Sequence, residues 1–167
     1  MFADVLLVID LQNGVLKDGE QEIWHRDELL EAITSRIDTY RDNHIPIIFV
    51  QHEDELLQAE SEEWQLVSEI DHRGSDFYVK KRHANSFYQT NLLKVLTKLN
   101  VRSIEFCGAQ TDYCINASLE FAHGLGFNNV MKHGYSSTYD NRFMTADATI
   151  AFFEIYGVKG LLNLFKQ

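Results

Sequence analysis

Proline and cysteine are nearly absent from these 167 residues: there is one proline, Pro46, and there are two cysteines, Cys107 and Cys114. With a single proline, no low-complexity tract and no fixed-period repeat, neither a linker nor a solenoid is visible. Two cysteines, one of them inside an apolar run, make neither a disulfide framework nor a paired-cysteine metal site, and a reducing compartment is expected. Basic residues are also short, 15 Lys and Arg against 25 Asp and Glu, for a formal charge of -10. That deficit argues against nucleic acid or an anionic membrane as partner. Long apolar runs are missing too. The N-terminal MFADVLLVIDLQ is interrupted by Asp4 and Asp10 and has no basic leader, so a soluble, cytoplasmic protein is expected.

What is present is alternation of strand and helix patterns. Val5 to Ile9 (VLLVI) has the composition of a central strand covered on both faces. After a polar loop, Leu29, Leu30, Ile33, Ile37 and Tyr40 make one stripe of a helix from about Asp27 to Asn43. Pro46 to Gln51 reads as the second strand. His52 to Ser75 is acidic and weakly patterned, a surface excursion or lid with a short helix near Glu62 to Val67. Asp76 to Lys81 alternates as the third strand, and Thr90 caps a helix carrying Leu92, Leu93, Leu96 and Leu99.

The fourth strand holds Ile104, Phe106 and Cys107, Gly108 breaks it, and a helix follows with Leu119, Ala122 and Leu125 on one face. Asn129 to Lys132 is a short fifth strand ahead of the polar loop HGYSSTYDN. A last helix starts near Thr145 and Asp147 and stops at Gly157, and Val158 to Leu161 adds an edge strand. The pattern predicts one domain over residues 1–167: a three-layer, Rossmann-like α/β fold with a mainly parallel sheet of five to six strands and helices on both faces.

Parallel strands point their carboxyl ends to one edge, where ligands bind. Asp10 ends the first strand, Lys81 ends the third, and Cys114 follows the fourth by one helical turn. A thiol at a helix N-terminus is expected to have a lowered pKa. Carboxylate, ammonium and thiol in one cleft make a hydrolytic or acyl-transfer set, with backbone N–H groups of the turn before Cys114 available to an oxyanion. Taken singly, Cys114 is also consistent with a small buried apolar residue, Asp10 with a turn residue, and Lys81 with a solvated cluster beside Lys80 and Arg82.

VLLVIDLQNG, VKKRHANSFYQTNL and GAQTDYC occur in that order, and with them the chain resembles the isochorismatase-like cysteine hydrolases, which include nicotinamidases. The resemblance implies that Cys114 attacks the substrate, Asp10 acts as general acid and base, and Lys81 supports the charges. It also implies a cis peptide between Ala109 and Gln110, with the amides of Gln110 and Cys114 facing the oxyanion. Cleavage of an amide C–N bond through a thioester is the activity implied. Alternatives are a nicotinamidase, a catalytically idle small-molecule-binding member of the fold, or a redox sensor using Cys114. Gln12, Trp24, Phe87 and Tyr113 are candidate substrate contacts, each equally consistent with packing, and Trp24 fits packing or a subunit contact better. Asp112 is a candidate N-cap.

The chain departs from the nicotinamidase pattern. Its second strand ends Gln51-His52-Glu53-Asp54, the reverse of an Asp-x-His metal motif, and Val15 replaces a Phe that faces the ring. The loop HGYSSTYDN resembles that of small, uncharacterised family members, with Gly134 or His133 in place of their usual Asp at the end of the fifth strand. No cofactor and no metal are expected, His52 and His72 being the residues that could alter that. Implied partners are a small-molecule substrate and further copies of the chain, as a dimer or tetramer.

Overall fold

The structure, a computed structural model, describes residues 2–158 and 163–164. In chain order its elements are β1 (Val5–Ile9), α1 (Asn13–Leu16), the short strands β2 (Lys17–Asp18) and β3 (Gln21–Glu22), α2 (Arg26–Asp42), β4 (Ile47–His52) and β5 (Phe77–Lys81). Then follow α3 (Leu92–Lys98), β6 (Ser103–Ala109), a π-helical turn (Thr111–Ile115), α4 (Asn116–Gly124), β7 (Asn128–Ser137), α5 (Ala146–Val158) and β8 (Asn163–Leu164).

The main sheet is parallel throughout, in the order β5-β4-β1-β6-β7-β8, with five full strands and the two-residue β8 at one edge. β1 lies in its middle because all five of its residues are aliphatic and buried, which suits a strand covered on both faces. Val5, Leu7 and Ile9 pack with Leu92 and Leu96 of α3 and Leu119 and Ala122 of α4. Leu6 and Val8 face the other way, onto Leu30, Ile33, Ile37 and Tyr40 of α2. Each such aliphatic side chain contributes about 1.5–3 kcal/mol by leaving water, so the strand is held from both layers.

Several local expectations are corrected. Lys17 to Glu22 forms an antiparallel hairpin, with Gly19 at φ 59° as the first residue of the two-residue turn Gly19-Glu20, the position where a tight hairpin favours glycine. Gly108 does not end its strand: it pairs with Ile9 in register, at φ 124°, where a Cβ would fall 2.0 Å from the Ile9 carbonyl oxygen. The glycine therefore extends the strand by permitting close approach. β7 runs through HGYSS instead of stopping at Lys132, with a register shift between its pairs Met131 with Phe106 and Ser136 with Gly108. No helix forms over residues 62–67.

The helices also differ in detail. Asn91 precedes α3, and the Thr90 hydroxyl accepts the Leu92 N–H while Leu93 is exposed. Leu125 follows α4 and is exposed instead of sharing the face of Leu119. α5 passes through Gly157 and ends at Val158, so Val158 is helical, and the rest of the expected edge strand, residues 159–161, lies outside the described residues.

The acidic excursion after β4 is no loose lid. Gln12 Nε2 donates to the carbonyls of His52 and Trp64 at 2.9 and 2.8 Å, and Asn13 Nδ2 donates to that of Glu62 at 2.8 Å. The N–H groups of Asn13, Gly14 and Val67 bond Gln65, Glu63 and Leu11. At Gly14 a Cβ would meet Leu57 Cδ2 at 2.7 Å and Glu63 Cβ at 2.9 Å, so glycine lets the excursion seat as a fixed roof.

Candidate active site

Three strand ends and one turn converge at the carboxyl edge of the sheet. Asp10 follows β1 at φ 52°, its N–H bonded to the Val50 carbonyl, so its side chain turns back over the strand ends. Lys81 ends β5, where the alternation that buries Val79 also carries the Lys81 stem inward. Cys114 comes from the π-turn, which starts straight after the cis Ala109–Gln110 peptide.

Lys81 is the hub. Its ammonium lies 2.7 Å from Asp10 Oδ2, 3.1 Å from Cys114 Sγ and 3.1 Å from His52 Nδ1, which occupies all three of its donors. Both charged side chains are buried, 0% and 1% exposed, so neither has water to replace a lost partner. Asp10 Oδ1 is buried and has no hydrogen-bond partner, leaving a strong acceptor free beside the thiol.

The expected low thiol pKa is overturned. Burial pushes the Cys114 thiol up to about 12, the Asp10 carboxylate pushes it the same way, and the Lys81 ammonium opposes them. Cys114 is therefore a protonated thiol at neutral pH, and its proton needs an acceptor. Position at a turn N-terminus does not outweigh desolvation and a neighbouring anion.

His52 was not legible as part of this group, although its register partner is Lys81. Burial first, and the Lys81 charge second, hold its imidazole below the ordinary 6.5. The hydrogen-bond pattern assigns a neutral ring, accepting from Lys81 at Nδ1 and donating from Nε2 to Asp54 Oδ2 at 3.1 Å. His72 does not join it and instead meets the Tyr78 hydroxyl at 3.1 Å. Among the described residues no group of three or more His, Cys, Asp or Glu is placed to hold a metal ion.

The other candidates separate. Tyr113, 62% exposed, lines the cavity over Cys114 together with Gln110. Gln12 does not face a substrate, since its amide is fully engaged with the backbone of His52 and Trp64. Phe87 is packed in the core against Phe121 and Phe127, ring centroids 5.5 and 6.2 Å away. Trp24 lines a different cavity with His25, His133 and Gly134, and its carbonyl accepts the Ser137 hydroxyl. Asp112 is not an N-cap; it lies inside the π-turn and accepts the Thr138 hydroxyl at 2.6 Å, tying that turn to the segment after β7. Of the two residues expected in place of the family's usual Asp, His133 pairs with Glu154 at 2.5 Å and the Gly134 N–H donates to the same carboxylate at 3.3 Å.

A family model of the isochorismatase domain matches residues 4–148. The crystal structure of an isochorismatase family protein superimposes with a TM-score of 0.94 at 38% identity, covering 97% of each chain. The uncharacterised isochorismatase family protein YddQ of Bacillus subtilis is 24% identical over 78% of this chain and 71% of its own length. The ureidoacrylate amidohydrolase RutB of Agrobacterium fabrum is 26% identical over 74% of this chain, which spans about half of it, 51%. With the family model matching most of the sequence and the fold shared along nearly its whole length, this chain belongs to the isochorismatase-like hydrolase family.

Proposed function

We propose that the chain hydrolyses the C–N bond of a small amide through a thioester on Cys114. The observation that carries this is the buried Lys81 ammonium between Asp10 and Cys114, with the second Asp10 oxygen unpartnered. A free buried acceptor beside a protonated thiol is the arrangement a general base requires.

In the first half of the reaction the Cys114 thiol proton passes to Asp10 Oδ1 as Sγ attacks the amide carbon. The Lys81 ammonium stabilises the sulfur as it gains charge. The backbone N–H groups of Gln110 and Cys114 receive the oxyanion. Asp10 then gives its proton to the leaving nitrogen, the C–N bond breaks, and a thioester remains. In the second half Asp10 takes a proton from water, hydroxide oxygen bonds to the acyl carbon, the C–S bond breaks, and the proton returns to sulfur. Asp10 thus alternates between base and acid, with Lys81 fixed beside it throughout.

The amidohydrolase named among the relatives supports the choice of an amide bond. Incubation with a panel of small amides, followed by intact-mass and peptide analysis, should reveal an acyl group on Cys114 and release of amine. Cys114→Ala should abolish both. Turnover that survives in Cys114→Ala would end this reading. The same likeness carries the proposal of a dimer or tetramer, which light scattering coupled to size exclusion checks; a monomer at micromolar concentration would contradict it.

A further inference from the structure

The cavity above Cys114, about 480 Å³, is large enough for a small metabolite. Its apolar wall is made by Val15, Leu57, Ala84 and the Tyr113 ring, and its polar groups are those of Asp10, His52, Gln110 and Cys114. No Lys or Arg stands in that wall among the described residues. Lys81 lies beneath it, 0% exposed at the side chain and committed to three acceptors. The two cations flanking Lys81 in sequence are engaged elsewhere: Arg82 pairs with Glu53 at 2.8 Å, and Lys80 reaches the same carboxylate at 4.0 Å.

The roof over this cavity is strongly anionic. Between His52 and Glu63 the chain carries Glu53, Asp54, Glu55, Glu60, Glu62 and Glu63, and neither Lys nor Arg. Leu57 of this roof lines the cavity, and the roof is pinned by the Gln12, Asn13 and Gly14 bonds, so the segment that carries these charges is held fixed beside the cavity. Like charges around a low-dielectric cleft repel an incoming anion and lower its local concentration. A carboxylate entering the cavity would also leave water without gaining a cation.

From this geometry, and resting on the amide hydrolase reading above, we infer that the site accepts uncharged amides bearing a compact apolar substituent and rejects carboxylate-bearing ones. That sets the chain apart from its relative named for ureidoacrylate, whose substrate is itself a carboxylate. The apolar substituent lies against Val15, Leu57 and Tyr113, and the amide carbon rests over Cys114 Sγ. His52 presents no charge to it, since its ring is neutral and bonded on both sides.

Alkylation of Cys114 tests the charge selection without any need for turnover. Iodoacetamide and iodoacetate both transfer a carbon to the thiolate with loss of iodide, and they differ in one negative charge. Peptide mass spectrometry separates Cys114 from Cys107, which is fully buried. At low ionic strength the iodoacetamide-to-iodoacetate rate ratio at Cys114 should exceed that of free cysteine by about tenfold or more. The ratio should fall toward the free-cysteine value in the exposed double variant Glu62→Gln, Glu63→Gln and in salt. Val15→Arg should accelerate iodoacetate specifically; should that variant fail to fold, the surface glutamine pair carries the test alone.

A ratio equal to that of free cysteine, unmoved by salt or by the glutamine pair, overturns the inference. Size-matched amides with and without a carboxylate supply the second arm. Faster cleavage of the carboxylate-bearing members would overturn the charge selection while leaving the hydrolase reading intact. A high alkylation ratio with no amide cleaved at all would leave the charge selection standing and remove the hydrolase reading beneath it.

Discussion

At the residue scale, Asp10 and Lys81 act on Cys114 in opposite directions. The carboxylate raises the thiol pKa and the ammonium lowers it, on top of the larger effect of burial. Asp10→Asn should therefore bring the midpoint of pH-dependent alkylation down from about 12, while Lys81→Ala should drive it higher still. The two variants share one consequence, loss of hydrolysis, and split on the other. Asp10→Asn should alkylate faster than wild type at neutral pH although it no longer turns over, because a more acidic thiol has lost its proton acceptor. Midpoints that move in the same direction would remove the assigned roles. His52 adds a pH limit of its own. Because the folded protein holds its pKa below 6.5, the unfolded chain takes up a proton there that the native state resists. The stability His52 supplies is complete above pH 6.5 and is lost as pH falls. His52→Gln, which keeps an acceptor for Lys81, should flatten that part of the stability curve; urea midpoints measured from pH 7.5 to 5 read the difference, and an unchanged slope would count against the Lys81–His52 contact.

At the scale of elements, the parts legible in the sequence are those in which a side-chain period matches a backbone period or an apolar run is unbroken. The α2 stripe and the alternation from Phe77 to Lys81 repeat at the spacing of the element they form, while Val5 to Ile9 does not alternate and is legible as the aliphatic run of a strand covered on both faces. That is also why the sequence alone places Asp10 and Lys81 at one edge of the sheet. β7 was missed in its second half because its register shift against β6 breaks the alternation, leaving GYSS looking like a loop. The roles of His52 and Gln12 were illegible for a different reason: both depend on which backbone comes to lie across from them, and residue type alone does not say that. Gly108 is the instructive error. Read as a break, it is a strand residue whose missing Cβ lets β6 approach Ile9 of β1 just before the site. Gly108→Ala should lower stability by on the order of 3 kcal/mol, since it adds a positive φ for a residue with a Cβ to a backbone clash. A denaturant midpoint within error of wild type would show that the sheet can open there freely.

For the whole molecule, the question is what joins the α2 layer to the sheet besides apolar contact. Glu105 lies at the centre of β6, fully buried, an expensive place for a carboxylate. Its two oxygens receive Arg36 Nε and a terminal nitrogen of the same guanidinium, each at 2.6 Å, and the Tyr40 hydroxyl donates to it at 2.7 Å. Tyr40 in turn accepts the Ala3 N–H, so one buried cluster ties together α2, β6 and the start of the chain. Burial and the Glu105 charge raise the Tyr40 hydroxyl pKa, which keeps it a donor across the working pH range. A buried pair of this kind contributes little relative to a well-packed apolar substitute, yet leaving one member alone is costly. Arg36→Met should accordingly lose about 3–5 kcal/mol of unfolding free energy, because the Glu105 charge stays behind with only a neutral hydroxyl. The double variant Arg36→Met, Glu105→Leu should recover most of that loss, since the fold then buries no charge at this point. Chemical denaturation of the three proteins decides it: a double variant no more stable than Arg36→Met alone would mean that the pair itself, and not the avoidance of a lone charge, holds helix to sheet.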